Sequence, residues 1–365
     1  MRKSALIGML AAMAVPIVGS SACAPEATTA IDVNALAEGS YPAPAGNELT
    51  IGAAAAATGR YFGAAIDVNA LAEGPYRALA GNELTAVTPE NAMKWGEVEP
   101  QRGVFDWRPA DELVGFAKAH GQKIRGHTLV WHGQLPSWFV DGNFAPNEVK
   151  ALMLAHVSTE VGRFKGSIYA WDVVNEPLAD NGGWRDNIFL KAMGPDYVSL
   201  ALNAAHKADP GAKLYVNEYG VETSGPKMEA LYDLVASLKR DGVPIDGVGL
   251  QCHLVSGAAP GDLPDVMRRF ASLGVDVAVT ELDLRMRSPA TERDLQTQAA
   301  DYARVVSACR MTKRCVGATA WGITDGHSWI PGFFQGYGAA LPFDEGYRPK
   351  PAVAAILKAF AAPGP

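Results

Sequence analysis

The chain has 365 residues, 48% of them hydrophobic and 19% charged, with a formal net charge of -7. That balance suits one large single-core domain or two smaller ones, and it excludes a chain that is disordered throughout. With no basic run longer than pairs such as Arg268-Arg269, a nucleic-acid partner is disfavoured and a neutral ligand fits better.

The chain opens like an export signal: Arg2 and Lys3, an apolar stretch from Ala5 to Val18, then the small residues Gly19-Ser20-Ser21-Ala22. The stretch is too short for an ordinary membrane span. Residues 1–24 are therefore expected to be a signal peptide, cleaved near Ala22 or Ala24, with the protein secreted to the extracellular space or periplasm. Cys23 follows small residues as a lipid-modified cysteine would, but Ser20 stands where such sites usually carry an apolar residue; a lipoprotein anchored through Cys23 is the alternative.

Residues 25–48 read as an Ala/Pro-rich linker holding part of a duplication. Residues 30–50 recur as 65–85 with three differences. Two copies are too few to bury the core of a solenoid. Only the second is preceded by a strand-like run, Tyr61 to Asp67, so the first is expected to be peripheral and poorly ordered, with Pro42 and Pro44 as further breakers.

From Tyr61 the pattern alternates. Strands are expected at Tyr61–Ile66, Ala86–Thr88, Lys123–Leu129, Ile168–Val174, Lys213–Val216, Gly247–Gln251, Val275–Thr280 and Val316–Trp321. Amphipathic stretches at Pro109–His120, Asn147–Phe164, Tyr197–Ala208, Lys227–Asp241, Asp262–Leu273, Thr291–Ser307 and Lys350–Phe360 read as helices. Strict alternation over this length predicts an α/β fold, a (β/α)8 barrel forming one catalytic domain over 49–365, with a doubly wound sheet as the alternative. In the oxidising compartment expected for an exported protein, Cys309 and Cys315 form the plausible disulfide, leaving Cys252 as an unpaired thiol buried in a strand.

The chemistry collects where the strand-like runs stop. Glu176 follows Ala170–Val174, and Glu281 follows Val277–Thr280. In a barrel both would face one mouth, and two convergent carboxylates are the equipment for cleaving a glycosidic bond. Past other strands come Glu90, Asn91, Lys94, His127, Trp131, His132, Gln134, Asn175, Asn217, Glu218, Tyr219, Gln251, His253, Asp283, Trp321 and Trp329. Amides, Lys and His pair with sugar hydroxyls, and indole faces cover the apolar face of a pyranose. No one of these is diagnostic: a lone Trp is more often core, and a lone Lys a solvated charge. No His or Cys spacing matches a zinc site, so no metal is expected; cleavage by two carboxylates calls for no organic cofactor either.

Five motifs taken together carry a resemblance. TPENAMKW (88–95), GHTLVWH (126–132), WDVVNEP (171–177), TELDL (280–284) and WGITDGHSW (321–329) look like glycoside hydrolase family 10, the retaining endo-β-1,4-xylanases, in order and with family-like spacing from about Leu49 to Phe360. The resemblance implies a (β/α)8 barrel with a cleft across its mouth that hydrolyses internal linkages of β-1,4-xylan. It carries over Glu176 as acid/base and Glu281 as nucleophile. Glu90, Asn91, Lys94, His127, Trp131, Gln134, Asn175, Gln251, His253, Trp321 and Trp329 match positions that line the sugar subsites, with Asp283 and Tyr219 in support. Xylan and xylo-oligosaccharides are the expected partners of a monomer. Departures are Glu218, where many relatives carry Asp, Cys252 beside the histidine, and the duplicated segment.

A retaining mechanism needs Glu281 ionised and Glu176 protonated at rest. His253 is expected to donate to Glu281 with Asp283 orienting it, and Asn175 to hold the 2-hydroxyl of the reacting sugar. A β-1,4-glucan-preferring glycanase, a non-catalytic carbohydrate-binding protein and a metal-dependent hydrolase are the competing readings.

Overall fold

A computed structural model describes residues 49–363. The expected signal peptide and linker lie outside the described residues, as does all of the first duplicated copy except Leu49 and Thr50.

The described residues form ten strands: β1 (Tyr61–Ile66), β2 (Ala86–Pro89), β3 (Lys123–Val130), β4 (Ala170–Asn175), β5 (Lys213–Glu218), β6 (Gly247–Leu250), β7 (His253–Val255), β8 (Asp276–Arg287), β9 (Cys315–Ala320) and β10 (Tyr337–Gly338). Eight of them, β1 to β6 with β8 and β9, pair in parallel with their neighbours, and β9 returns to β1 through Tyr61↔Gly317 and Phe62↔Ala318. The sheet therefore closes, and the expected (β/α)8 barrel is the fold. Strands β1, β2, β4 and β6 are buried at every position, as parallel strands covered on both faces must be.

Two close approaches fix the barrel wall. A β-carbon at Gly126 would stand 2.2 Å from the Trp171 ring, and one at Gly247 would stand 2.1 Å from the Tyr215 ring, so the neighbouring strand can pack its aromatic only against bare backbone. Outside, the helices follow the expected periodicity: Tyr197–Ala208 keeps its bounds, and the others shift by a few residues at their ends. The last helix, Pro351–Ala361, packs along Glu292–Met311. Among the described residues no helix is long and apolar enough to cross a membrane.

Three expectations need correction. β8 does not stop at Thr280; beyond the barrel it is held by β7 in parallel and by β10 antiparallel, so Glu281 and Asp283 lie within the strand rather than past it. His127, Asn175, Asn217 and Glu218, read as lying past their strands, likewise fall inside β3, β4 and β5. Cys252 is buried, but it sits in the link between β6 and β7 with φ of +62° rather than in a strand. The helices Ile51–Ala56 and Gly74–Glu83 were not expected. The second is built from the duplicated segment, and its Gly and Pro start and weak apolar stripe hide it. Cys309 and Cys315 do form the expected disulfide, joining the end of a helix to the first residue of β9.

Candidate active site

The C-terminal ends of the barrel strands carry a connected network of polar side chains. Glu281, on β8 and 4% exposed, accepts from Asn217 Nδ2 on β5 at 2.6 Å. Its other oxygen lies 3.1 Å from His253 Nε2, and His253 Nδ1 lies 2.8 Å from Asp283 Oδ2. Both partners of this imidazole are carboxylates, which only accept, so the ring donates from both nitrogens and is a cation. Burial alone would disfavour that charge, but Asp283 and Glu281 outweigh it and raise the His253 pKa to about 10. Burial would likewise push the Glu281 carboxyl up; the His253 hydrogen bond and the nearby His127 reverse this and hold it below its ordinary value. Glu281 is thus kept anionic inside the barrel.

Glu176 follows β4 directly, where the backbone turns into the left-handed region at φ of +54°. That conformation is uncommon for a residue with a β-carbon and is held by Glu176 N donating to Asn217 O at 2.8 Å and Arg185 Nε donating to Glu176 O at 3.0 Å. The side chain accepts from Trp131 Nε1 (2.9 Å), Gln251 Nε2 (3.2 Å) and Asn175 Nδ2 (3.3 Å), with His132 Nε2 3.9 Å away. The two carboxylates share one amide chain: Asn217 Nδ2 also donates to Asn175 Oδ1, and Gln251 Nε2 touches both Asn175 Oδ1 and Glu176.

Around this pair the rim is assembled from β2, β3 and the loop after β9. Lys94 Nζ donates to Gln134 Oε1 (2.8 Å) and Asn91 Oδ1 (3.3 Å), and it lies 4.9 Å from the Trp131 ring and 6.0 Å from the Trp321 ring. Burial lowers the Lys94 pKa, against the charges of Glu90, Glu281 and Glu176. Glu90 is itself buried. His127 Nδ1 lies 3.1 Å from Asp172 Oδ2, and its ring meets Trp321 edge-on. Trp329 donates to Asp283 Oδ2 at 2.8 Å and packs on His253. Tyr219 stands further out, donating to Asp180 and accepting from Arg185. Every residue singled out from sequence for the site thus gathers at one mouth, Tyr219 at its edge.

Several contributors carried no role in the sequence reading. Asn217 was one polar residue among many; its contacts with Glu281 and Asn175 depend on a register between strands that a linear pattern does not display. Asp172, inside WDVVNEP, pairs with the buried Arg125 and with His127. Arg185 sits in an irregular loop with no periodic signal. Among the described residues no group of three or more His, Cys, Asp or Glu is arranged to hold a metal ion.

A closed barrel that presents an anionic carboxylate and a second, indole-bonded carboxyl across one amide network defines a glycoside hydrolase. Residues 50–359 match the model of "Glycosyl hydrolase family 10", and the chain belongs to that family. It is 47% identical over 278 residues to endo-1,4-beta-xylanase C of Phanerodontia chrysosporium, covering 76% of this chain and 69% of that protein. It is 45% identical to an endo-1,4-beta-xylanase of Agaricus bisporus over 74% of this chain and 81% of that one. The crystal structure of xylanase 10B from Thermotoga petrophila RKU-1 in complex with xylobiose superposes with a TM-score of 0.84 at 36% identity, covering 85% and 97% of the two chains.

Proposed function

We propose that this glycoside hydrolase cleaves internal β-1,4-xylosidic linkages of xylan with retention of configuration, Glu281 acting as nucleophile and Glu176 as acid/base. The single observation that carries the assignment of roles is the cationic His253 between Asp283 and Glu281, which keeps Glu281 ionised although buried. In the first step a Glu281 oxygen attacks the anomeric carbon while Glu176 gives its proton to the departing glycosidic oxygen. In the second, Glu176 takes a proton from water as that water displaces Glu281 from the sugar. Asn175, bonded to Glu176 and to the Asn217 bridge, is assigned the 2-hydroxyl, a contact that strengthens in the transition state.

Xylan as substrate rests on the kinship with endo-1,4-beta-xylanases and with a structure that holds xylobiose. Glu90, Asn91, Lys94, Gln134 and the indoles of Trp131, Trp321 and Trp329 supply the hydroxyl partners and apolar faces that a xylosyl chain needs. The oxidised Cys309–Cys315 pair supports action outside the reducing cytosol, in keeping with residues 1–24 as an export signal and residues 49–365 as the catalytic barrel.

The test is product analysis on defined xylo-oligosaccharides with proton NMR of the first anomer released. A β-anomer, with xylan preferred over soluble cellulose, is expected; an α-anomer ends the covalent mechanism. Glu281→Ala should be inactive on all substrates. Glu176→Ala should lose xylan hydrolysis but, with azide, regain turnover of an activated aryl xylobioside as the β-glycosyl azide.

A further inference from the structure

Glu218 is the last residue of β5 and is fully buried two strand-ends away from the nucleophile; its carbonyl accepts from Gln251 N at 3.0 Å, but its carboxylate bonds none of the candidate sugar-binding side chains. One oxygen accepts from Leu178 N at 3.0 Å, and Leu178 stands two residues after Glu176. The other accepts from Tyr219 N at 3.1 Å and pairs with Lys227 Nζ at 3.0 Å. Lys227, itself 5% exposed, also reaches Asp180 Oδ1 at 3.3 Å and lies 3.3 Å from the Tyr219 ring centre. Tyr219 and Arg185 complete the loop, because Arg185 donates both to the Tyr219 hydroxyl and to the carbonyl of Glu176.

The segment from Glu176 to Asp180 is therefore gripped at three points by charged groups from β5, from the helix Pro226–Arg240 and from its own loop. Its first residue needs such a grip, since Glu176 occupies a left-handed backbone conformation that a free chain would leave.

We propose that Glu218, seated by Lys227, is a positioning residue for the acid/base: by holding the Leu178 amide it keeps the Glu176 carboxyl aimed at the glycosidic oxygen. This rests on the reading of Glu176 as acid/base. Burial is the largest influence on the Glu218 carboxyl and raises its pKa to about 7 despite Lys227 and the Leu178 amide, with Glu176 adding to the rise; Arg185, Tyr197 and Tyr219 are the other titratable groups that face this cluster. Either protonation state of Glu218 leaves an oxygen to accept from Leu178.

The discriminating measurement is the dependence of glycosylation on the leaving group. A dinitrophenyl leaving group departs without protonation, whereas a phenyl or xylosyl one needs the acid. The double variant Glu218→Leu/Lys227→Met removes both buried charges together, a change that folds commonly tolerate, and deletes the grip on Leu178. Expected is a folded protein with a Tm close to that of the parent, the orphaned Leu178 and Tyr219 amides offsetting the gain from removing the buried ion pair, a loss on the order of 10- to 100-fold in kcat/KM on phenyl β-xylobioside, and a near-normal kcat/KM on the dinitrophenyl analogue. Glu218→Gln, which keeps an acceptor for Leu178, should recover most of the phenyl activity. Equal losses on both substrates, or none on either, in a folded double variant would overturn the proposal. Glu176→Ala on the same two substrates separates the failures: if it shows no leaving-group dependence, the role of Glu176 falls; if it does and the double variant does not, only the role of Glu218 falls.

Discussion

Asn217 and Glu281 are joined by a 2.6 Å hydrogen bond across the barrel mouth, and the same Asn217 amide reaches Asn175 at 2.9 Å. Its carbonyl is in turn fixed by the Thr280 hydroxyl at 2.6 Å, so the donor cannot turn away. A hydrogen bond to a buried charge contributes about 1.5–3 kcal/mol. Once that anchor is gone the nucleophile loses its alignment, and Asn217→Ala is expected to lower kcat/KM on the order of 10- to 100-fold. The loss should be alike for good and poor leaving groups, because the contact serves the attacking carboxylate, whose charge is spent in every first step. Steady-state rates on the two aryl xylobiosides check this; a loss confined to the poor leaving group would move Asn217 to the acid side.

His253 gives a stability signature as well as a catalytic one. Its folded pKa of about 10 lies above the value of about 6.5 expected when unfolded. The stabilisation is then fully present below about 6.5 and is lost as pH rises through about 10. Asp283→Asn removes the largest favourable contributor, so the fall in Tm between pH 6.5 and 10 should flatten relative to the parent. Because His253 would lose the charge that most favours its cationic form, the donor that it offers Glu281 would weaken, and kcat should drop by at least about 10-fold. Thermal melts across that range, beside rates at one pH, test both parts.

The disulfide sits at the other end of the barrel from the carboxylates, since Cys315 begins β9 while the site lies at the strands' far ends. It closes a short loop, for which chain-entropy reasoning gives about 2 kcal/mol. The pair Cys309→Ser and Cys315→Ser should unfold at correspondingly lower urea and hydrolyse xylan at an unchanged kcat. A changed kcat at full folding would mean that the constraint reaches the mouth.

The barrel was legible because its strands are buried on both faces and read as unbroken apolar runs; Tyr61–Ile66 was placed to the residue. The far half of β8 was not, since its partners, His253–Val255 and Tyr337–Gly338, are too short to show a period. Glu176 and Glu281 stood out as charges ending apolar runs. Asn217, Arg185 and the Glu218–Lys227 pair did not, because their meaning lies in contacts between elements: Glu218 holds an amide 40 positions away in sequence.

A last expectation concerns Glu160, a carboxyl with no surface exposure on the helix Pro146–Arg163. Its oxygens have no hydrogen-bond partner among the described residues; the nearest charge-bearing group, His156 Nε2, is 3.4 Å off, and that ring stacks on Trp95. Burial pushes the Glu160 carboxyl well above the usual range and His156 down to about 3, so both are neutral in the fold. Unfolding releases the Glu160 proton at neutral pH, which means its contribution is complete below about 4.3 and erodes as pH rises. His156 has the opposite sign: its contribution is present above about 6.5 and is lost as pH falls through about 3. Between pH 7 and 9 His156 is neutral folded and unfolded, and the slope due to His253 is common to parent and variant. The difference between the two therefore isolates Glu160. Glu160→Leu, which removes an unsatisfied polar group while keeping the volume, should raise stability by about 1–3 kcal/mol at pH 7. The gain should be larger at pH 9 than at pH 5, with kcat on xylan within about two-fold of the parent. Urea titrations at the three pH values decide it: a gain that stays flat between pH 7 and 9 would mean that the carboxyl is already ionised in the fold.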